Sequence, residues 1–435
     1  MSKWLGFCTS KQKLIEQQIA AYARLQMFSG AVLVAKGNKV MHRSTRGLAS
    51  HELQVNLGFT HRFNIGSISK LFVALAVARL AEQGRLKLNE PLSKTLPNFP
   101  NAGQITLTHL LSNTAGLADH IVDPITAEFS TKAHSLDQLV ALIAGMAPIA
   151  APGMPLAYSN AHWVLLAKVI ERVTGQSYAV ALKELVFDVA GLADTAIAER
   201  SAAMPNQVTG YEIGSSGALP ASFIDPSFEI GAGGIYSTCD DLWMLQQALT
   251  THKIVSPRMW AQMREPHGFA DDLGYGLGVI SGQRFGWNWH GHSGGTMGFV
   301  STFTHYPDDD LTIIVLCNYG NGDAIQLDKD IAAIMFDKPC LAPILPAGIN
   351  LPIDQLREFE GSFDMHYMGR PMVLEISLAG SALTAKFPLL PSATLLPITP
   401  TSFQASIKGG RVTFEFDKNG VAMNWSGEKI YGIRR

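Results

Sequence analysis

Apolar positions recur at helical spacing at the start of this chain, and the pattern shortens to strand spacing soon after. Lys11 to Met27 places Ile15, Ile19 and Tyr22 on one face, which predicts an amphipathic helix. Gly30 to Ala35 is a small-apolar run, turned by Gly37-Asn38 into a second strand through Val40. Ser67 to Glu82 reads as an apolar helix with Gly84 beyond its end, a C-cap position. A short helix is expected over Thr106 to Ser112, ending before Asn113-Thr114-Ala115-Gly116. Ser135 is an N-cap for a helical piece running through Ala144. His162 to Val173 makes another helix, stopped at Gly175, and Leu182 to Phe187 adds one more. Strands return with Phe299 to Tyr306 and Leu311 to Cys317, which flank Pro307-Asp308-Asp309-Asp310 as an antiparallel hairpin. Asp323 to Phe336 then closes the region as a helix. Strands at both ends with helices between predict an α/β architecture. Its sheet is built from N- and C-terminal segments, and a helical subdomain is inserted between them.

The pattern changes once more after a proline-rich stretch, Pro339 to Pro346 with Pro352. Val373 to Leu378 alternates like a strand. Phe414-Glu415-Phe416 and Val421 to Trp425 face each other across Asn419-Gly420, a short-turn signal. The expected organisation is therefore a larger domain over 1–338, a linker over 339–352 and a small all-β barrel or meander over 353–435. A length of 435 residues agrees with two domains.

Composition narrows the partners. The chain is 47% hydrophobic and 16% charged, as expected for a globular protein with a large core. A formal net charge of −2 and no dense Lys/Arg run give nucleic acid or an anionic membrane surface little to bind. Cys8, Cys239, Cys317 and Cys340 are scattered without a C-x-x-C pair, so neither a disulfide framework nor a zinc knuckle is indicated. Cys317 ends an apolar run and reads as a buried strand residue. No stretch of about 20 apolar residues exists to span a membrane. Trp4 to Cys8 is too short for a signal h-region, and Phe7 is bulky for a lipoprotein cleavage site at Cys8. The expected location is cytoplasmic, or periplasmic if a leader has been removed.

The candidate chemistry starts at Ser67-Ile68-Ser69-Lys70. A serine hydroxyl is a poor nucleophile until a base takes its proton, and a lysine three residues on lies one helical turn away on the same face. The helix N-terminus beside Ser67 favours negative charge developing there. Tyr158-Ser159-Asn160 follows the Pro152-Gly153 loop and precedes an apolar helix. A phenol of pKa about 10 becomes a base only beside a cation, a part Lys70 can play. Asn160 offers an amide able to hold both a substrate carbonyl and the lysine. His292-Ser293-Gly294-Gly295 lies just before a strand expected to begin near Met297. Its glycines let a substrate backbone approach and leave N–H groups for an oxyanion hole.

In order and content these segments resemble the serine β-lactamase and penicillin-binding superfamily, closest to its class C-like branch of DD-peptidases, esterases and β-lactamases. That family carries S-x-x-K, then Y-x-N, then K/H-T/S-G. Phe28 to Val34, Ile105 to Leu111 and Gly231 to Ser237 match its accessory stretches, so the resemblance covers roughly residues 10 to 337. It implies that Ser67 forms an acyl-enzyme and that Lys70 and Tyr158 share the proton traffic. Asn160, His292, Ser293 and Gly294 would bind substrate, and the N–H groups of Ser67 and Gly295 would bind the oxyanion. No metal or organic cofactor is implied. His292 replaces the lysine usual in class C β-lactamases. Histidine with a pKa of about 6.5 is only partly charged at pH 7, which weakens the grip on an antibiotic carboxylate. The C-terminal segment resembles the lipocalin-like domain of some members.

The expected activity is hydrolysis of an ester, an amide or a D-amino-acid peptide, with weak action on β-lactams. A penicillin-binding sensor that acylates and stalls is the alternative. A carrier whose barrel holds an apolar ligand is a third, against which the intact motif residues speak. The natural substrate, a homo-oligomeric state and the choice of Lys70 or Tyr158 as primary base stay open. His290-x-His292 has the spacing of a zinc pair but no third ligand. His109 and His120 read as structural or rim residues, and the Asp308 to Asp310 run as a solvated turn. Trp287 and Trp289 fit a cleft wall and core packing equally well.

Overall fold

The computed structural model describes residues 10–121, 128–199, 203–214, 217–270, 273–367, 370–387, 392–407, 410–425 and 428–435. Cys8 and the hydrophobic residues around it lie outside them. Helix α1 (Lys11–Arg24) begins where the Ser10 side chain accepts the Lys13 N–H, and it buries Ile15, Ile19 and Tyr22. Two strands follow, β1 (Gly30–Lys36) and β2 (Lys39–Arg46), joined through Gly37 at φ +56°. The second runs past the expected Val40. Further along, among shorter elements, lie a helix α2 (Ser69–Glu82) and a helix α3 (Asn160–Thr174). The sheet resumes with β3 (Gly268–Ala270), β4 (Leu273–Tyr275), β5 (Ile280–Arg284), β6 (Trp287–Thr296), β7 (Phe299–Tyr306) and β8 (Leu311–Cys317), and α4 (Ala324–Met335) closes it.

These eight strands form one antiparallel sheet in the order β3-β4-β5-β6-β7-β8-β1-β2. Strands far apart in sequence meet where β1 pairs with β8 from Gly30 opposite Cys317 to Lys36 opposite Leu311. Both faces of this pair are covered, so β8 is buried at every position. Ile313 and Val315 pack with Val32, Val34, α1 and α4 on one face. Ile314 and Leu316 pack with Leu33 and the residues of α2 and α3 on the other. Each such Val, Leu or Ile contributes about 1.5–3 kcal/mol relative to exposure. From Leu71 to Ala78, α2 exposes no residue beyond 1%. A helix apolar all round belongs in an interior, and this one runs between the sheet and the inserted helices.

Two local expectations shift. Ser67 lies in a 3₁₀ turn over Gly66–Ile68, and the α-helix starts at Ser69. His292 to Gly295 lie inside β6 and do not precede a strand. Gly294 is needed there because backbone from elsewhere presses on this strand, as the site geometry shows.

Eight further strands close into a barrel between Gly361 and Arg434, the first pairing with the last at Phe363 opposite Arg434. Residues 410–416 and 420–425 pair as expected, with Phe416 opposite Val421. The turn itself is 417–419, where the Asp417 carboxylate accepts the N–H groups of Asn419 and Gly420 at 2.8 Å. Gly420 belongs to the strand, bare because a Cβ there would meet the Gly432 carbonyl at 2.1 Å. The barrel is tied to the first region through Arg411, whose Nε donates to Asp323 Oδ2 at 2.7 Å.

Candidate active site

The turn that carries Ser67 is held from three sides. Gly66 sits at φ +51°, a left-handed conformation that glycine adopts without a Cβ clash. Its N–H donates to Asn64 Oδ1 at 2.9 Å, and the Ile65 carbonyl accepts Ser301 Oγ–H from β7 at 2.8 Å. A Cβ on Gly66 would stand 2.7 Å from the Gly295 nitrogen, so β6 and the serine turn touch backbone to backbone. Gly294 is bare for the same reason, since a Cβ there would meet the Ile65 carbonyl at 2.0 Å. The close approach read from these glycines is thus made first by the protein's own chain. Past Gly291, β6 pairs only with β7, because β5 covers residues 287–291 alone. The outer edge beside Ser293, Gly294 and Gly295 is therefore where an extended substrate can add its backbone.

Ser67 Oγ is in contact with two proton carriers. Lys70 Nζ lies 2.7 Å away, and the Tyr158 hydroxyl donates to the same oxygen at 2.9 Å. Lys70 is fully buried, and its Nζ also donates to Asn160 Oδ1 and to the Ala232 carbonyl, each at 2.8 Å. The orientation of Asn160 is set from behind. Its Nδ2 donates to both Asp119 carboxylate oxygens, at 2.9 and 3.2 Å, leaving Oδ1 for Lys70. Ser159 caps α3 through the Ala161 N–H, which starts the helix at Asn160 and aims that residue at Lys70.

Asn113 organises the wall behind Tyr158. At φ +56° its Oδ1 accepts the Ser159 N–H (3.2 Å), His162 Nδ1–H (2.9 Å) and Trp163 Nε1–H (3.3 Å). The Tyr275 ring stands edge-on to Tyr158 with centroids 6.0 Å apart, and its hydroxyl donates to His292 Nε2 at 3.3 Å. His292 Nδ1–H donates to the Ser293 carbonyl at 2.6 Å. Burial, helped by the positive charge of Lys70 and opposed by the Ser293 carbonyl, pushes His292 down to about 3. The partial charge expected of this histidine at neutral pH does not hold. It is a neutral imidazole fixed between a phenol and a backbone carbonyl.

Other candidates fall elsewhere. His290 is buried against Trp260 and His305, and no group of three metal-ligating side chains occurs among the described residues. Trp287 stacks on Phe336 at 4.2 Å, and Arg284 covers Trp289, so both pack. Gly295 lies roughly 26 Å of strand from Trp287. His120 is buried beside Asp119, and His109 completes a capping box with Thr106. Asp309 pairs with Lys36 at the turn after β7. Sequence reasoning missed Asp119, Asn113, Tyr275 and the Ala232 carbonyl. The first two follow the 107–111 helix in irregular backbone, where residue type alone does not say what a polar side chain faces. Ala232 acts through its backbone, and its type carries no signal.

A Ser-Lys-Tyr cluster built on a fully buried lysine, between an antiparallel sheet and a helical region, defines a serine-hydrolase fold of the penicillin-recognising kind. The β-lactamase family model matches residues 12–335, and the chain belongs to that family. Penicillin-binding protein 4* of Bacillus subtilis is 27% identical over 78% of this chain and 79% of its own. The teichoic acid D-alanine hydrolase of Staphylococcus aureus is 26% identical over 72% and 75%. The fold of the octameric penicillin-binding protein homologue from Pyrococcus abyssi superposes with a TM-score of 0.68, covering 96% of this chain and 99% of that one at 21% identity. The protein is accordingly a hydrolase of this superfamily. No described helix is long and apolar enough to cross a membrane.

Proposed function

We propose that the protein hydrolyses a D-aminoacyl ester or amide through an acyl-enzyme on Ser67. The observation that carries this reading is the placement of one serine oxygen within 2.9 Å of both Lys70 Nζ and the Tyr158 hydroxyl. Lys70, when neutral, keeps two N–H bonds, one for Ala232 O and one for Asn160 Oδ1, and turns its lone pair to the Ser67 hydroxyl. It then takes the serine proton as the serine oxygen attacks the carbonyl carbon. Tyr158, already donating to that oxygen, is placed to pass a proton to the leaving alcohol or amine. The Ser67 and Gly295 N–H groups receive the developing oxyanion. Water then attacks the acyl carbon and gives its proton to the Tyr158 phenolate, while Lys70 returns the serine proton to the departing Ser67 oxygen.

The D-alanyl substrate class is supported by the staphylococcal relative, which is described as a D-alanine hydrolase. A neutral, buried His292 supports a site without a fixed cation for a β-lactam carboxylate. We propose also that residues 1–338 form the hydrolase unit, 339–352 the linker and 353–435 an accessory unit. Wild-type protein and Ser67→Ala, each given p-nitrophenyl acetate and a fluorescent penicillin, test the reading. Ester turnover in the wild type should fall by at least about 1,000-fold in Ser67→Ala. Turnover that survives the substitution would refute the mechanism. Stoichiometric penicillin labelling without ester turnover would favour the stalled, sensor-like reading.

A further inference from the structure

One buried carboxylate beside the cleft has no part in the mechanism above. Glu229 ends the 3₁₀ turn Pro226–Glu229 and is only 9% exposed. Its backbone carbonyl accepts the N–H groups of Ala232 at 3.0 Å and Gly233 at 2.7 Å. Glu229 thereby builds the turn whose Ala232 carbonyl holds Lys70. Its side chain reaches the other way, to β6, where Thr296 Oγ–H donates to Oε1. Thr296 directly follows Gly295, whose nitrogen lies against Gly66. One carboxylate thus joins the two backbone segments that flank Ser67 and Lys70. Gly233 makes room for it, since a Cβ there would stand 3.3 Å from Glu229 Cβ and 3.5 Å from Oε2.

No Lys, Arg or His pairs with Glu229 among the described residues, and Oε2 accepts no hydrogen bond from them. A carboxylate with one oxygen held and the other left over is open to an incoming cation. The α-amino nitrogen of an aminoacyl group is one carbon from the carbonyl that Ser67 attacks. A carboxylate meant for it must therefore stand on the wall of the same cleft, between the lysine-holding turn and the end of β6. Glu229 joins those two segments, its backbone carbonyl in the turn and its side chain on Thr296.

We infer that Glu229 is a specificity residue that pairs with the free α-ammonium group of the acyl part of the substrate. The inference rests on the Ser67 reading and narrows its substrate to aminoacyl esters and amides with an unblocked amine. Glu229→Gln separates this role from a structural one. The amide keeps an acceptor for Thr296 Oγ–H and removes only the charge.

The test is the ratio of kcat/KM for D-alanine p-nitroanilide to that for its N-acetyl derivative, in wild type and Glu229→Gln. A charge-assisted bond predicts a wild-type preference of about 30-fold for the free amine, lost in Glu229→Gln. The same preference should decline as pH rises through about 8, where the amine loses its proton. An equal ratio in the two proteins, or a wild type with no preference, overturns the role of Glu229. Where neither anilide turns over, slowing of p-nitrophenyl acetate hydrolysis by D-alanine amide against N-acetyl-D-alanine amide reads the same ratio. Ester hydrolysis that persists in Ser67→Ala would instead bring down the Ser67 reading, and this inference with it.

Discussion

The Ser67 cleft and the C-terminal barrel are both well-packed interiors, yet they are filled with opposite chemistry. Around Ser67 the chain buries Lys70, Asn113, Asp119, His162, Glu229 and His292. In the barrel, none of the buried polar or charged side chains among the described residues appears. Its centre is Phe363, Phe403 and Phe416 with Phe359 from outside the strands, their rings 5.0–5.9 Å apart. Eight strands enclose a space of a size that side chains can fill, and among the described residues these rings stand in it. The difference shows where stability is gained and where it is given up. The barrel gains it by burying rings, whereas the cleft holds charges that need an exact set of partners to stay buried.

Substitutions in each region should therefore fail in different ways. The largest effect on stability is expected in the barrel. Phe403→Ala should cost about 3–5 kcal/mol of unfolding free energy in urea. It should leave the p-nitrophenyl acetate rate per folded molecule unchanged, and a parallel loss of rate would show that the two regions are coupled.

A smaller effect, of the opposite kind, is expected at Asp119. Asp119→Ala frees the Asn160 amide to turn and should lower kcat about 30-fold, with little change in KM. Asp119→Asn keeps an acceptor and should recover most of that loss. Both variants remove a negative charge near Lys70, which favours the neutral amine. The acid limb of the pH–rate profile should therefore move to lower pH in both. A profile that stays in place would reduce Asp119 to a packing residue.

The smallest effect is the acid sensitivity of stability. His292 titrates near 6.5 when unfolded and is pushed to about 3 in the fold. Between those values the unfolded chain binds more protons, so this contribution is present above pH 6.5 and is lost as pH falls toward 3. His290 and His305 are lowered by burial in the same direction. His292→Gln should flatten the fall of the urea midpoint between pH 6.5 and 4.5 without abolishing it. An unchanged slope would place the acid sensitivity elsewhere.

What was readable along the chain was whatever repeats within one element or sits a few residues apart. Ile15, Ile19 and Tyr22 marked α1, the Pro307–Asp310 turn marked the hairpin, and alternation marked the barrel strands. Ser67 and Lys70 are one turn apart, so their meeting follows from local geometry alone. Tyr158 and Asn160 were found through the order of motifs, which names residues without placing them. Asp119 and Asn113 were not found, because a polar residue in a loop looks the same whether it faces water or a buried lysine.

The sequence by itself determined the spacing of the proposed nucleophile and its lysine and much of the succession of helices and strands, since periodicity and three-residue spacing are properties of a short stretch. Only the tertiary structure decided that Asn160 and the Ala232 carbonyl hold Lys70, that Asp119 holds Asn160, and that His292 is neutral. Those outcomes depend on burial, and burial is set jointly by distant segments, such as Lys70 and Ala232, 162 residues apart. No local pattern encodes how much water a side chain will lose.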